Sequence, residues 1–305
     1  MMHDFEAHEL LKQLTSELEN FTDMAAYLLP QPGEVPEMQG IDVHGGTLAR
    51  NGAVGGDHII YVDFKRRFDL HARITRAIRE GQHEMAERLK SCQRKAGIAL
   101  LDASGHRVTD ALLAAMLHQA FLLGSIYELD MFGQITERLF EHLNTRFYQS
   151  SAAHKFVSMI YGEISEDTGF RFLAAAQPFP SVFSNEHDRL MDVRPEMNVS
   201  FPPLGMLPSP EPIDRQTGAS PLGLKPHYEM NEWSLMGAGD ILVLHTDGVT
   251  EHGGEHHPYY PHHFGETLRR MKHLGAREIY EALLEDLLAF SEPSDDVSLV
   301  VIKRT

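Results

Sequence analysis

The first thirty residues carry hydrophobic side chains at alternating steps of three and four positions. This spacing predicts a helix over residues 5–29, and its members are Leu11, Leu14, Leu18, Phe21, Ala25 and Leu28. The spacing is that of the a/d seam of a short coiled coil, and it equally fits an amphipathic helix packed on its own domain. Pro30 and Gly33 follow and end the helix. We therefore predict a separate N-terminal helix over residues 1–30 and leave its partner open.

Short apolar runs in the rest of the chain predict buried strands and amphipathic helices. The predicted strands are residues 58–64, 98–101, 157–164, 170–176, 241–244 and 297–302. The predicted helices are residues 109–130, 132–149 and 275–290. No internal repeat or low-complexity tract interrupts them, and we expect residues 31–305 to form a single domain.

Two segments inside that domain depart from the pattern. Residues 65–97 look helical and carry ten Lys and Arg residues against four Asp and Glu residues. This basic insertion is either a solvated helical hairpin or a docking surface for an acidic partner. Residues 195–226 hold eight of the sixteen prolines and show little periodicity, which predicts a long irregular loop.

The net charge, the cysteine content and the shortness of the apolar stretches argue against several classes of protein. The formal net charge of −17 argues against general nucleic-acid binding, because a basic face supplies most of that affinity. Cys92 is the only cysteine, so no intrachain disulfide can form, which fits a reducing cytoplasm. The N-terminus has no pattern of a signal peptide, and no stretch approaches the roughly 18 apolar residues of a membrane span. We expect a cytoplasmic protein without membrane or nucleic-acid partners.

Several aspartates occupy similar positions in the sequence, either at the end of an apolar strand or beside a tight turn. Asp57 follows two glycines, whereas Asp102 and Asp247 each end a predicted strand. Asp295 and Asp296 immediately precede the last strand. Carboxylates gathered at one point repel each other unless cations neutralise them. Any one of these aspartates alone fits a capped turn, but oxygen ligands as a set suit Mg²⁺ or Mn²⁺ better than Zn²⁺.

The order of these aspartates and their neighbours resembles the SpoIIE-like branch of the PPM serine/threonine phosphatases. The matching segments are residues 54–57 (VGGD), 102–106 (DASGH), 111–113 (ALL), 161–164 (YGEI), 239–240 (GD), 246–251 (TDGVTE) and 295–298 (DDVS). Residues 28–30 (LLP) also resemble the end of the helix that precedes this domain in many relatives. Each short motif is a weak signal, but all of them in order, over residues 25–303, form a specific one.

The resemblance implies an α+β fold in which two packed β-sheets are flanked by helices, with a metal site at one edge of the sandwich. It implies two divalent cations, Mn²⁺ or Mg²⁺, that activate a metal-bridging water for attack on phosphorus. The ligands implied are Asp57, Asp102, the Ala103 carbonyl, Asp247 and Asp295. Asp296 is the less favoured member of its pair.

The chain also departs from the pattern of its relatives. Arg107 stands where relatives usually carry glycine, and Ala176 with Gln177 stands where they often carry Gly-His. Arg107 fits either a substrate phosphate contact or a surface salt bridge. His106 fits either a general acid or a structural hydrogen bond. None of these positions is a metal ligand in the family pattern, so we expect activity to survive.

A histidine-rich segment offers a rival site. The five histidines that fall within twelve residues are His252, His256, His257, His262 and His263. Such a segment can bind Zn²⁺. The prolines and tyrosines between them favour an exposed, irregular loop instead.

The function implied is a phosphoserine/phosphothreonine protein phosphatase of the partner-switching type. Its usual substrate in the family is a phosphorylated, STAS-type anti-sigma-factor antagonist. A homodimer through the N-terminal helix is a further expectation. The alternatives are a catalytically weak module that binds the phosphoprotein, and a Zn²⁺-binding protein. A binding-only module would be free to lose the aspartates, so their presence favours the enzyme.

Overall fold

A computed structural model describes most of the chain, namely residues 2–26, 34–50, 55–104, 108–150, 155–167, 169–210, 220–234, 237–254 and 256–305. Some residues on which the sequence analysis relied lie outside this description. They are residues 28–30, Gly33, Val54, residues 105–107 and, within the Pro-rich loop, residues 211–219.

The described residues form strands and helices of ordinary length, together with a 3₁₀ turn at Pro195–Met197. The strands are β1 (Ile41–Leu48), β2 (Asp57–Asp63), β3 (Lys95–Ala103), β4 (Val157–Ser165), β5 (Gly169–Ala175), β6 (Ser181–Ser184), β7 (Arg189–Leu190), β8 (Ser200–Phe201), β9 (Asn231–Ser234), β10 (Ile241–His245) and β11 (Val297–Arg304). The helices are α1 (Met2–Ala26), α2 (Phe64–Arg67), α3 (Leu70–Arg79), α4 (His83–Cys92), α5 (Val108–Phe132), α6 (Glu137–Ser150), α7 (Asp247–Thr250), α8 (His262–Met271) and α9 (Ala276–Phe290).

The strands assemble into two sheets. The first, here called the β1 sheet, has the order β1-β11-β10-β6-β7. The second, the β2 sheet, has the order β2-β3-β4-β5-β8, and β9 also pairs with β5. Neighbouring strands run antiparallel except for the short parallel pair of β5 and β8.

Three hydrophobic clusters pack these sheets into four layers. Between the sheets, Ile98 and Leu100 of β3 meet Leu242 and Val300 of the β1 sheet. The outer face of the β2 sheet packs on α3 to α6, and the outer face of the β1 sheet packs on α8 and α9. Both faces of the central strands are therefore buried, which explains why they are continuous apolar runs. The fold implied by the family resemblance is confirmed.

Helix α5 is the most apolar helix and covers the outer face of the β2 sheet. In the described part of the chain, it alone is long and apolar enough to be a candidate membrane span, with a mean hydropathy of 1.4 over its most apolar window. Leu117 and Phe121 of this helix are fully buried in the core beneath it. Asp110, in its first turn, is also fully buried and pairs with Lys155. These contacts attach the helix to the core, whereas Leu123, Tyr127 and Met131 are 56%, 61% and 66% exposed.

The basic insertion differs in detail from its prediction. Helix α4 ends at Cys92 and strand β3 begins at Lys95, so residues 95–97 are not helical. The reason is that Ala96 already faces the core between the sheets, as Ile98 does. Much of the insertion's charge is paired within the protein, since Asp130 of α5 lies 2.7 Å from Arg73 and 3.0 Å from Arg76. This pairing weakens the case for a docking surface.

The histidine-rich segment is more ordered than the sequence suggested. The expectation of an exposed, irregular loop was wrong for Tyr259, which is fully buried and donates a hydrogen bond to Asp286 at 3.0 Å. The expectation was also wrong for the C-terminal end of the segment, because helix α8 begins at His262. His252 is buried against Leu287, whose carbonyl lies 2.9 Å from its Nε2. An aromatic core under α8 and α9, rather than polarity, determines the conformation here.

The Pro-rich loop is anchored at its end by a buried ion pair. Lys225 has a fully buried side chain whose Nζ lies 2.8 Å from Glu141 of α6. The same ammonium lies 3.5 Å from the centre of the Tyr228 ring. Glu141 also accepts hydrogen bonds from Ser209 at 2.5 Å and from the Tyr228 backbone N–H at 2.9 Å. One carboxylate thus joins three points of the loop to the helical layer.

We predict that Glu141→Ala destabilises the protein by about 3 kcal/mol, because it leaves the Lys225 ammonium buried without its counter-charge. Urea unfolding followed by circular dichroism measures this loss. The exposed Glu292→Ala is the matched control and should change stability little. Replacing both partners, with Glu141→Leu and Lys225→Met, should recover part of the loss. Equal losses for Glu141→Ala and Glu292→Ala would contradict the anchoring role.

Candidate metal centre

Two of the predicted aspartates lie side by side at one end of the β2 sheet. Asp57 is the first residue of β2 and pairs directly with Asp102 of β3. Side chains alternate along a strand, and Ile59 and Leu100 face the core between the sheets. Asp57 and Asp102, two residues away from them, therefore face the same inter-sheet space.

The β1 sheet supplies the other aspartates at the same end of the sandwich. Strands β10 and β11 are antiparallel neighbours, so the end of β10 lies beside the start of β11. Asp247 follows β10 at the start of α7, and Asp295 precedes β11. The Thr246 N–H donates to the Ser298 carbonyl at 3.1 Å, which fixes these two ends relative to each other.

A buried threonine joins the two sheets at this point. Thr246 is fully buried, and its hydroxyl donates to Oδ2 of Asp57 at 2.8 Å. The same hydroxyl oxygen accepts the Ser298 N–H at 3.0 Å. A residue of the β1 sheet thus orients a carboxylate of the β2 sheet. In the sequence, Thr246 stands out only as part of the TDGVTE motif.

Asp296 holds the segment that leads into β2. Its carboxylate accepts the backbone N–H groups of Arg50 and Gly56, both at 2.7 Å. A Cβ on Gly55 would lie 2.1 Å from this carboxylate, so glycine is required there for close approach. Both oxygens of Asp296 accept backbone N–H groups, so this carboxylate anchors the segment that leads into β2.

Hydrogen bonds from within the β2 sheet orient Asp102. The Ser158 hydroxyl of β4 lies 3.1 Å from Oδ2 of Asp102, and Gln177 donates to that hydroxyl at 2.9 Å. Ala103, the next residue, is fully buried, and its N–H donates to the Gly56 carbonyl at 3.2 Å. Ser158 carried no sequence signal, whereas Gln177 was noted only as a departure from the Gly-His pair that relatives often carry.

The carboxylates of this cluster destabilise one another's charged forms. Burial and the neighbouring Asp102 charge raise the pKa of Asp57 well above its usual value, although the hydrogen bond from Thr246 opposes the shift. Burial and the charge of Asp247 raise the pKa of Asp102 to about 7. Burial and the charge of Asp295 raise the pKa of Asp247. The charge of another carboxylate in the cluster is among the causes of each pKa shift. The four carboxylates therefore share one electrostatic environment.

The chemistry of this cluster fits divalent cations. Asp57, Asp102 and Asp247 form no ion pair with Lys or Arg within the described residues. Carboxylate and carbonyl oxygens are the ligands that Mg²⁺ and Mn²⁺ prefer. Among those same residues, no three His, Cys, Asp or Glu side chains converge closely enough to hold a metal ion. Repelling carboxylates are expected to stand apart until a cation draws them together.

The histidine-rich segment is less suited to binding a metal ion than the carboxylate cluster is. His257 stacks on the Phe290 ring at a centroid distance of 4.8 Å, and His252 is buried in a hydrogen bond to the backbone. These side chains take part in packing rather than facing a common point. His106 and Arg107 lie outside the described residues, so their predicted substrate contacts stay predictions.

Two adjoining surface cavities of about 440 Å³ each share Lys95, Arg171 and Glu232 in their lining. Lys95 begins β3, whereas Asp102 lies near its end, so these cavities lie at the far end of the sheet from the carboxylate cluster.

Comparison with known families identifies the same domain. The model of the family described as Stage II sporulation protein E (SpoIIE) matches residues 93–305. That range includes Asp102, Asp247 and Asp295, whereas Asp57 precedes it. A search among curated proteins found no match.

Solved structures of low sequence identity share the fold. The RsbU and RsbW domains of Rv1364c from Mycobacterium tuberculosis align with a TM-score of 0.61 and 19% identity, covering 88% of this chain and 61% of that one. The SiaA-PP2C domain of Pseudomonas aeruginosa aligns with a TM-score of 0.62 and 16% identity, covering 96% and 98%. RsbX in complex with magnesium aligns with a TM-score of 0.52 and 13% identity, covering 89% and 98%. The chain thus spans about three-fifths of the Rv1364c chain and nearly all of the other two.

We predict that Asp102→Asn stabilises the metal-free protein by about 1 kcal/mol at neutral pH, because it removes one of the repelling carboxylates. Asp296→Asn is the matched contrast and should destabilise it by about 1–3 kcal/mol, because an amide cannot accept both backbone N–H groups. Urea unfolding in the presence of EDTA measures both changes, and the exposed Asp23→Asn should change nothing. Loss of stability in Asp102→Asn would show that the cluster is not repulsive.

Proposed function

The chain belongs to the SpoIIE family, and on that premise we propose that it is a metal-dependent phosphatase that hydrolyses phosphoserine or phosphothreonine in another protein. One observation carries the proposal. Carboxylates from two different sheets share one end of the sandwich, where burial and mutual repulsion raise the pKa of Asp57, Asp102 and Asp247. A protein keeps such a cluster only where a cation or a substrate compensates for it.

The roles of the residues follow from their positions. Asp57, Asp102, Asp247, Asp295 and the Ala103 carbonyl would hold two divalent cations, Mn²⁺ or Mg²⁺. Such cations neutralise phosphoryl oxygens and lower the pKa of water enough for attack on phosphorus. Thr246 and Ser158 hold the carboxylates in place without adding charge. The site therefore stays negative and selects cations.

The substrate side of the site is proposed from the family pattern. Arg107 would bind the substrate phosphate, since a guanidinium forms paired hydrogen bonds with such groups. His106 would donate a proton to the leaving oxygen. Both follow Asp102 closely in sequence, which would bring them to the same end of the sandwich.

The substrate class and location are proposed on the same basis. RsbU, RsbX and SiaA domains share this fold, and RsbX was solved with magnesium. We place the chain in the cytoplasm, acting on a phosphorylated STAS-type anti-sigma-factor antagonist. A catalytically weak module that binds the phosphoprotein is the alternative, and the retained aspartates favour turnover over it.

The catalytic proposal is tested with the purified protein and a phosphoserine peptide. We predict hydrolysis that requires Mn²⁺ or Mg²⁺ and stops with EDTA. Asp247→Ala should reduce the rate by about a thousandfold, since it removes one of the cation ligands. Phosphate release, measured against metal concentration, gives the rate.

Two results separate the alternatives. Asp188→Ala is the matched control, because Asp188 is exposed and forms a surface ion pair with Lys272. Its activity should equal that of the wild type. A wild type that binds the phosphopeptide and the cation without releasing phosphate would support the binding module instead.

The exposure of apolar side chains on α1 supports a homodimer through the N-terminal helix. Leu11, Leu14 and Leu18 are 64%, 55% and 48% exposed, although they form the apolar seam of α1. Helix α1 contacts α5, and of its described side chains only Phe21 and Thr22 are partly covered. These three residues of the seam are therefore not covered by the rest of the domain. Burying it against a second copy of α1 would remove this apolar surface from water.

We predict that the wild type is dimeric at tens of micromolar and that Leu14→Asp with Leu18→Asp makes it monomeric, because charges then occupy the seam. Sedimentation equilibrium measures the change. Ser16→Asp with Asn20→Asp adds the same charge to the opposite face of the helix and should leave the dimer intact. A monomeric wild type at that concentration would refute the coiled coil, and equal dissociation by both pairs would show that charge alone is responsible.

A further inference from the structure

A chain of two hydrogen bonds ends on the carboxylate of Asp102. The side-chain amide of Gln177 donates through Nε2 to the Ser158 hydroxyl oxygen at 2.9 Å. That hydroxyl lies 3.1 Å from Oδ2 of Asp102 and 3.2 Å from the Asp102 carbonyl oxygen. Gln177 follows β5 and Ser158 belongs to β4, so the chain of bonds crosses from one sheet neighbour to the next.

The direction of these bonds is fixed by chemistry. An amide N–H only donates, so the Ser158 oxygen must accept from Gln177. A hydroxyl has a single hydrogen, and the two acceptors that it reaches among the described residues both belong to Asp102. The bond from Gln177 thereby directs the Ser158 hydrogen toward Asp102. Oδ2 of Asp102 is engaged by this bond, and Oδ1 stays available to a cation.

The position of Gln177 carries two unfavourable features. Gln177 is 5% exposed and Ser158 is 8% exposed, yet Oε1 of Gln177 has no hydrogen-bond partner among the described residues. Ala176, just before it, has a φ of 59°, a left-handed conformation that residues with a Cβ seldom adopt. Strain and unsatisfied polar atoms persist where the surrounding structure requires them, and they concentrate at functional sites.

We infer that Gln177 is a positioning residue for the candidate metal centre, acting through Ser158 to hold one carboxylate oxygen of Asp102 so that the other faces the cation. The inference rests on the proposed function, since it assumes that Asp102 is a ligand. It adds two residues that were not predicted as part of the site. Partners that orient a metal ligand in this way typically change metal affinity by about 10–100-fold when removed.

Calorimetric titration of Mn²⁺ into the full-length, metal-free protein tests this without reference to catalysis. Gln177→Met keeps the length of the side chain and loses the donor, so Mn²⁺ should bind about tenfold more weakly. Ser158→Ala should weaken binding by a similar factor. Gln177→Met with Ser158→Ala should bind no more weakly than either single variant, because both changes break the same chain of bonds. Gln177→His retains an N–H donor and should stay within about threefold of the wild type.

Two controls separate positioning from damage to the fold. The exposed Gln119→Met should bind Mn²⁺ as the wild type does. The melting temperature of metal-free Gln177→Met should not fall, because the substitution also removes the unpartnered Oε1. Wild-type affinity in Gln177→Met, independent losses that multiply in the double variant, or a loss that accompanies a lower melting temperature would each overturn the inference. A wild type that binds no cation would overturn the proposed function and this inference with it.

Discussion

Repulsion among carboxylates from two different sheets is the constraint around which this end of the sandwich is built. Asp57 and Asp102 pair across β2 and β3, while Asp247 and Asp295 come from the ends of β10 and β11. Neither sheet alone would bring all four carboxylates to this end of the sandwich. The site exists because the inter-sheet core fixes the two sheets in one relative position, so packing in that core determines the distances between the charges.

The groups that hold these carboxylates are neutral. Thr246 and Ser158 donate hydroxyl hydrogen bonds to Asp57 and Asp102, and backbone N–H groups bind Asp296. A lysine in any of these places would have formed a buried ion pair, as Lys225 does with Glu141 elsewhere in the fold. Neutral donors fix the orientation of a carboxylate and leave its charge uncompensated. The contrast is between a carboxylate whose charge is balanced within the fold and carboxylates whose charge is left unbalanced by the described residues.

The sequence allowed the strands and the aspartates to be predicted, because both depend on local patterns. Strands such as β3 and β10 are buried on both faces, and their apolar runs lead to Asp102 and Asp247. The helical layer also followed from periodicity, whereas residues 95–97 and the burial of Tyr259 did not, since those depend on contacts with distant segments. For the same reason Ser158 was missed, and Gln177 was noted only as a departure from the Gly-His pair of relatives. They become part of the site only through the register of β3, β4 and β5, which no local pattern encodes.

The repulsion also links cation binding to stability. In the unfolded chain these carboxylates are far apart and solvated, so their mutual repulsion is a property of the folded state alone. A cation that binds only the folded state stabilises it by an amount that rises with the logarithm of its concentration. Under the proposed function, removing one carboxylate would have opposite effects, since it would relieve the metal-free protein and would deprive the cation-bound protein of a ligand. Stability measured without stating the cation concentration would mix the two, and the difference between loaded and metal-free protein is the quantity that reports on the site.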